Sequence, residues 1–383
     1  MALQEVSSTG WFGRIGGAIK GIFFGVIFFI GSMVLLVMNE RNAVRDISAN
    51  KEIAQNVVSI ENNEVNAANE GKLVHLSGLA KTDDILRNTE FGVEQNAIRL
   101  KWNASIYQWV EKSHTKSKKK MGGSESAVTT YEYEKKWVDS PVDSSEFKEA
   151  GHDNVGQQKF KTGSVNASLV TLGAFRLPPP LIEKMDASKP LPVTKLPANL
   201  EKSGKLTNGL FHTGKDLQTP QIGDEKVEFS IVGKGDVSVM AVQSKDSFFA
   251  YKAKNGKEKF LLYDGLLSAE QVVQEEETKA KFLRWILRAG GFFLMFMGIA
   301  FVLKPLSVLA DIIPIFGSFV GGVTGLIAFL AAAGISLAVI AISWVTFRPV
   351  LGITLLALGV VCFVLIVKKL KGSSARRLQG THP

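Results

Sequence analysis

Residues Gly21–Met38 read GIFFGVIFFIGSMVLLVM, an apolar run without one charged side chain. A helix rises 1.5 Å per residue and the hydrocarbon layer is about 30 Å thick, so a run of this length crosses once its flanking side chains snorkel. Arg14 and Lys20 precede it, as basic residues precede a secretory signal. The run is long for a signal, however, and it exits into Asn39-Glu40-Arg41-Asn42 rather than a small-residue cleavage site. It is therefore an uncleaved anchor, and the rest of the chain can be sorted around it.

Three more segments meet the same criterion: 284–303, 319–345 and 350–367. Between the first anchor and these, residues 39–281 are charged and strand-patterned. The expected fold is an α+β membrane protein with one N-terminal and three C-terminal transmembrane helices around a large β-rich extracytoplasmic or luminal domain. A chain of 383 residues with mean hydropathy +0.13 suits one folded domain plus spans. The formal charge of +9 is scattered, with no basic helix interleaved with aromatics, which argues against nucleic acid as a partner. Cys362 is the only cysteine, so neither an intrachain disulfide nor a cysteine-rich metal site can form.

Basic residues prefer the cytoplasmic flank of a span. The tail 368–383 carries Lys368, Lys369, Lys371, Arg376 and Arg377, and no acidic residue follows Asp311. A cytoplasmic tail and four spans put the N-terminus in the cytoplasm too, and 39–281 on the opposite side. Lys279, Lys281, Arg284 and Arg288 run against this assignment. Residues 1–20 place Trp11, Ile15 and Ile19 at helical spacing, as an interfacial amphipathic segment would. Residues 304–318 are apolar but interrupted by Pro305, Asp311 and Pro314, which predicts a cytoplasmic interfacial or re-entrant segment.

Glycine recurs at four-residue intervals at Gly13, Gly17, Gly21 and Gly25, and again at Gly317, Gly321 and Gly325. Gly291, Met295 and Gly298 form a weaker stripe in the second span. Glycines on one helix face let two backbones approach in lipid, either within one chain or between copies. No Asp, Glu, Lys, Arg or His lies within the interior of a span, which weighs against a pump or coupled transporter. At the outer boundary Glu40, Arg284, Arg288 and Arg348 fall at one level. They read as snorkelling anchors or, for Glu40 and Arg288, as an ion pair.

Within 39–281, AIRLKWNASIYQWV (Ala97–Val110) and Thr130–Val138 alternate apolar and polar residues, predicting a hairpin. Its connection holds Lys116, Lys118, Lys119 and Lys120 before Met121-Gly122-Gly123, the composition of a flexible solvated tip. Asp46–Ala68 reads as a connector or surface helix. Strands are expected at Lys72–Gly78, Val165–Leu172, Lys226–Val232, Val237–Gln243, Phe248–Lys252 and Phe260–Tyr263. Ser268 and Gln271 match a capping box at the helix leading back to the membrane. His75, His114, His152 and His212 stand alone, without a helical HxxxH pair, a Walker loop or a GxSxG elbow nearby. No catalytic, cofactor-binding or metal-binding set is identified; His152-Asp153 comes nearest, and a polar turn accounts for it equally well.

Asn69–His75 with Gly78, then Phe91-Gly-Val93, Tyr107–Glu111, Tyr131–Trp137, Gly151-His152, Gly223-Asp224, Arg288–Gly298 and Phe347-Arg-Pro349 resemble, in order and spacing, the LUMA or transmembrane protein 43 family. The resemblance covers nearly the whole chain. It implies a four-span protein without enzymatic activity, whose eukaryotic members self-associate and organise other membrane proteins at the endoplasmic reticulum and inner nuclear membrane. The short N-terminal tail and the Lys116–Gly123 insertion suit a bacterial relative, for which the inner membrane is the expected location. The expected function is a non-enzymatic multi-pass scaffold, a homo-oligomer whose further partners are membrane proteins and lipid. The alternative is a lipid-handling or pore-forming protein.

Overall fold

The computed structural model describes residues 3–350 and 353–354. The chain divides into two compact units. One comprises the residues up to Ser8, Ala49–Lys118 and Ser126–Glu277; the other comprises Thr9–Ser48, Lys119–Glu125 and the residues from Thr278 onward.

The first unit is built on two sheets. In one, β1 (Leu3–Thr9), β7 (Glu125–Val138), β6 (Arg99–Lys119), β14 (Glu225–Val232), β13 (Leu210–His212) and β12 (Lys205–Thr207) lie side by side. β8 (Gly163–Asn166) also pairs with β6, and β11 (Ser188–Leu191) with β14. The other sheet orders β10 (Phe175–Arg176), β9 (Thr171–Leu172), β3 (Leu73–Lys81), β15 (Gly235–Ser244) and β16 (Ser247–Phe249). To it are added β19 (Leu261–Asp264) on β15 and β2 (Val58–Ser59), parallel to β3. Two small hairpins, β4 (Ile85–Asn88) with β5 (Val93–Asn96) and β17 (Tyr251–Lys252) with β18 (Glu258–Lys259), stand as separate two-stranded sheets in the same unit. The short helices are α2 (Pro179–Ile182) and α3 (Ala198–Glu201).

The alternation that predicted β6 and β14 also sets the core. Leu100, Ala104, Val227 and Phe229 point inward to meet Val74, Leu76, Val237 and Val239 from the second sheet. Phe91 sits among Phe160, Phe211 and Phe229 with ring centroids 5.2, 5.2 and 5.4 Å away, a cluster of tilted and edge-on aromatic contacts. β15 is buried on both faces, because Met240 packs beside Leu73 and Leu261 in a smaller core with Ile53 and Val272.

Ile53 and Val272 belong to two long helices, α1 (Trp11–Asn56) and α4 (Ala269–Ala310), and each contributes residues to both units. The capping box forms: Ser268 N–H donates to Gln271 Oε1 (2.8 Å), and Gln271 N–H to Ser268 Oγ (3.2 Å). The third long helix, α5 (Pro314–Phe347), starts with a proline at its first turn, where the missing N–H costs nothing.

Among the described residues three helices, not four, are long and apolar enough to cross a membrane. The expected fourth span, 350–367, lies outside the described residues apart from Val350, Ile353 and Thr354. Several boundaries also shift. Part of 1–20 is the strand β1, and α1 then runs unbroken through 21–38 to Asn56, so the helical alternative for Asp46–Ala68 holds over its first part, no proline interrupting Trp11–Asn56. α4 likewise continues through Pro305 to Ala310 and α5 begins at Pro314, so the segment 304–318, expected to be interfacial or re-entrant, is mostly helical with a turn at 311–313. The hairpin strands run on to Lys119 and from Glu125. The charge-based assignment puts residues 1–20 and 39–281 on opposite sides of the bilayer, whereas β1 and β7 stand together in one sheet. Flanking charge reports on each span alone and carries no information about strand pairing.

Candidate functional site: a glycine contact and two polar nodes in the helix unit

In the second unit α1 and α4 meet where both lack side chains. A Cβ on Gly25 would lie 2.8 Å from the Gly298 carbonyl, and one on Gly298 would lie 2.8 Å from the Phe29 nitrogen. Neither position has room for alanine. Gly291 faces Leu36, and Ser32 Oγ lies 3.4 Å from Met295 Sδ, so the weaker stripe in the second span packs inside the chain. The remaining glycines divide. Gly17, Gly21 and Gly325 face open space, Gly13 meets only Thr9, and Gly321 meets only Ser307. Gly317 serves another purpose: a Cβ there would collide with the Asp311 carboxylate.

At one end of this contact the carboxylate of Glu40 joins three helices. Arg288 donates to it twice, Nε to Oε1 at 2.7 Å and Nη2 to Oε2 at 3.0 Å. Trp344 of α5 adds Nε1–H to Oε2 at 2.7 Å. Glu40 is fully buried, and the Arg288 side chain is 17% exposed. The guanidinium also lies over the rings of Trp285 (4.9 Å) and Trp344 (5.8 Å), where the aromatic faces attract a cation. Of the other boundary residues, Arg348 stands 6.0 Å over Trp344, and Arg284 accepts at its carbonyl from Asn39 Nδ2 (3.3 Å). Glu40 and Arg288 are thus brought together, while Arg284 and Arg348 remain at the periphery.

Near Ala310 and Pro314 a second node forms around Asp311, also fully buried. Its carboxylate pairs with Arg14 of α1 through Nη2 and with Lys119 Nζ at 2.7 Å. Arg14 extends to Glu125 (2.9 Å) and to the Gly123 carbonyl (2.6 Å). Trp11 Nε1–H donates to the Val308 carbonyl (2.9 Å), and Gly122 N–H to that of Ile312 (3.0 Å). Met121-Gly122-Gly123 therefore does not hang free in solvent. It turns with positive φ at both glycines, which only glycine adopts without strain, and Trp11 occupies the space a Gly123 side chain would need. Sequence reasoning missed this node. The available signal was Asp311 itself, a lone carboxylate in an apolar run, since a buried charge must be paired. Tip and turn, assigned to opposite sides of the bilayer by flanking charge, meet here.

In the first unit, polar contacts clamp the ends of the long helices. Glu52 accepts from Tyr251 OH (2.7 Å) and from the Lys254 amide, and these bonds hold its carboxyl below the usual range. Glu276 accepts from Lys259 Nζ and Tyr263 OH, both at 2.8 Å. Burial raises the Glu276 pKa, but the bonds to these partners outweigh it and the net shift is downward. His75, 6% exposed, lies 3.0 Å from the Leu267 carbonyl through Nε2 and 3.4 Å from Ser59 Oγ through Nδ1. It so bridges the strand after α1 and the residue before the α4 cap. Burial lowers its pKa.

His152 stacks flat on Tyr133, with centroids 3.9 Å apart, and meets Trp109 edge-on at 4.6 Å. Tyr133 OH donates to Glu111 (2.6 Å), and the nearby cavity of about 780 Å³ is shallow and lined by Glu111, Asp143 and Phe147. No three-residue group of metal-ligating side chains occurs among the described residues.

The family model described as Transmembrane protein 43 matches residues 106–349. Human Transmembrane protein 43 is 30% identical over 374 residues, covering 94% of this chain and 92% of its own. The rat protein of the same name is 30% identical over 355 residues (89% and 88%). A Drosophila melanogaster homolog is 30% identical over 359 residues (91% and 94%). No solved structure matches the chain.

Proposed function

The chain belongs to the transmembrane protein 43 family of membrane proteins, and from that premise we propose that it is a non-catalytic scaffold that self-associates through its helices and organises membrane complexes. The observation carrying this reading is the division among the glycines. Gly25, Gly291 and Gly298 are consumed in packing α1 on α4, whereas Gly17, Gly21 and Gly325 leave small-residue surface uncovered. In lipid such surface gains little by facing acyl chains and more by admitting a second backbone. Other membrane proteins and lipid are the further partners in this reading, and its setting is the endoplasmic reticulum or inner nuclear membrane in a eukaryote and the inner membrane in a bacterium.

In-membrane crosslinking tests it. The wild-type chain should give oligomers, and Gly325→Leu together with Gly21→Leu should reduce them while the monomer still folds. A wild-type chain that stays monomeric at every density refutes the proposal.

A further inference from the structure

The Asp311 node holds three segments in one surface: the first turn of α1, the hairpin tip and the turn between α4 and α5. The outward side chains there are large and apolar. Phe12 is 81% exposed, Ile315 79%, Met121 76% and Phe316 61%. A soluble surface seldom presents such a group, and the flanks of the adjoining helices expose large apolar side chains too, Phe23 on α1 and Phe319 on α5. One kind of cover, lipid, suits both the flanks and the tip.

The charges around this surface have one sign. Lys119 pairs with Asp311, whereas Lys118 before it on β6 and Lys120 in the turn after it are both exposed without an ion-pair partner among the described residues. Glu125, the acidic residue of the tip segment, is taken up by Arg14. Lys20 and Lys304 are exposed on the adjoining helices. An apolar surface with unneutralised lysines at its rim matches a bilayer whose headgroups are anionic; an uncharged lipid would satisfy the apolar residues and leave the ammonium groups unmatched.

We propose that the hairpin tip, seated on the α4–α5 turn, is a docking element for anionic phospholipid: Met121 enters the headgroup layer while Lys118 and Lys120 take the phosphates. This goes beyond the scaffold reading and does not depend on self-association.

The test uses the full chain with Cys362→Ser and with Met121→Cys carrying a fluorophore, in bilayer discs of phosphatidylcholine alone or mixed with phosphatidylglycerol. With phosphatidylglycerol, the label should be quenched by doxyl lipid, protected from iodide and released by salt. Lys118→Gln and Lys120→Gln should each lower the docked-to-free ratio about fivefold without altering the melting of the protein. Asp311→Asn should release the tip with both lysines in place. Equal iodide access in the two lipids overturns the proposal, as does equal protection in both. Protection that grows with protein density in phosphatidylcholine would mark a second copy as the occupant, and also overturns it.

Discussion

Consider Glu40→Ala. The variant leaves Arg288 17% exposed and stripped of both carboxylate bonds, with Trp344 Nε1–H losing its acceptor as well. Breaking a buried pair from one side typically costs about 3–5 kcal/mol, because the surviving charge is left uncompensated. Snorkelling of the long Arg288 side chain to the boundary would recover part of this, so about 3 kcal/mol is expected. Arg288→Ala should cost at least as much, since the carboxylate it leaves behind is shorter and fully buried. The double variant leaves neither charge stranded, so the two losses should fall short of additivity by about 1.5 kcal/mol or more. Unfolding of the purified protein by titrating SDS into mixed micelles measures all four corners of the cycle. Losses that add within about 0.5 kcal/mol would mean two independent anchors and refute the argument. Charge reversal at both sites offers a second reading, partial rescue being expected over either single reversal.

Gly298→Ala forces a methyl group against the α1 backbone and should destabilise the helix unit by about 1–3 kcal/mol, whereas Gly325→Ala, facing open space, should be nearly neutral in the same titration. Asp311→Asn should raise hydrogen exchange at the Gly122 amide, which bonds the Ile312 carbonyl only while the tip is held. For His75 the folded state favours the neutral ring because burial lowers its pKa from 6.5, so the unfolded chain takes up the proton first as pH falls. Stability of the β-rich unit should therefore be full above about pH 6.5 and decline below it. His75→Gln should flatten that decline in thermal melts; a slope unchanged by the substitution would place its origin elsewhere, His212 being the other buried histidine with a lowered pKa among the described residues.

The three long apolar helices were legible because Gly21–Met38 and its counterparts have one solution in lipid, a helix that satisfies its own backbone. β6, β14 and β15 were legible for a related reason, since period-two alternation and the all-apolar run Val239–Val242 mark which faces are buried. The α4 cap was also readable, because a capping box is a contact between neighbours in sequence.

What the chain order could not convey was partnership across distance. Glu40 and Arg288 could be placed at one level by counting residues from the bilayer, but Trp344 as their third member follows only from how α5 packs. Gly25 and Gly21 are alike in sequence, yet a Cβ on the first would meet Gly298 and one on the second would meet nothing within 4 Å. Lys119 and Lys120 differ by one position, and the docked tip makes one a counter-ion of Asp311 and leaves the other exposed in the turn. Sequence by itself determined which segments must leave water and which strands must hide one face, since both follow from local hydrophobic period. Tertiary structure decided which charges, glycines and lysines find partners, since a buried charge or a bare backbone is stabilised only by the group that arrives opposite it.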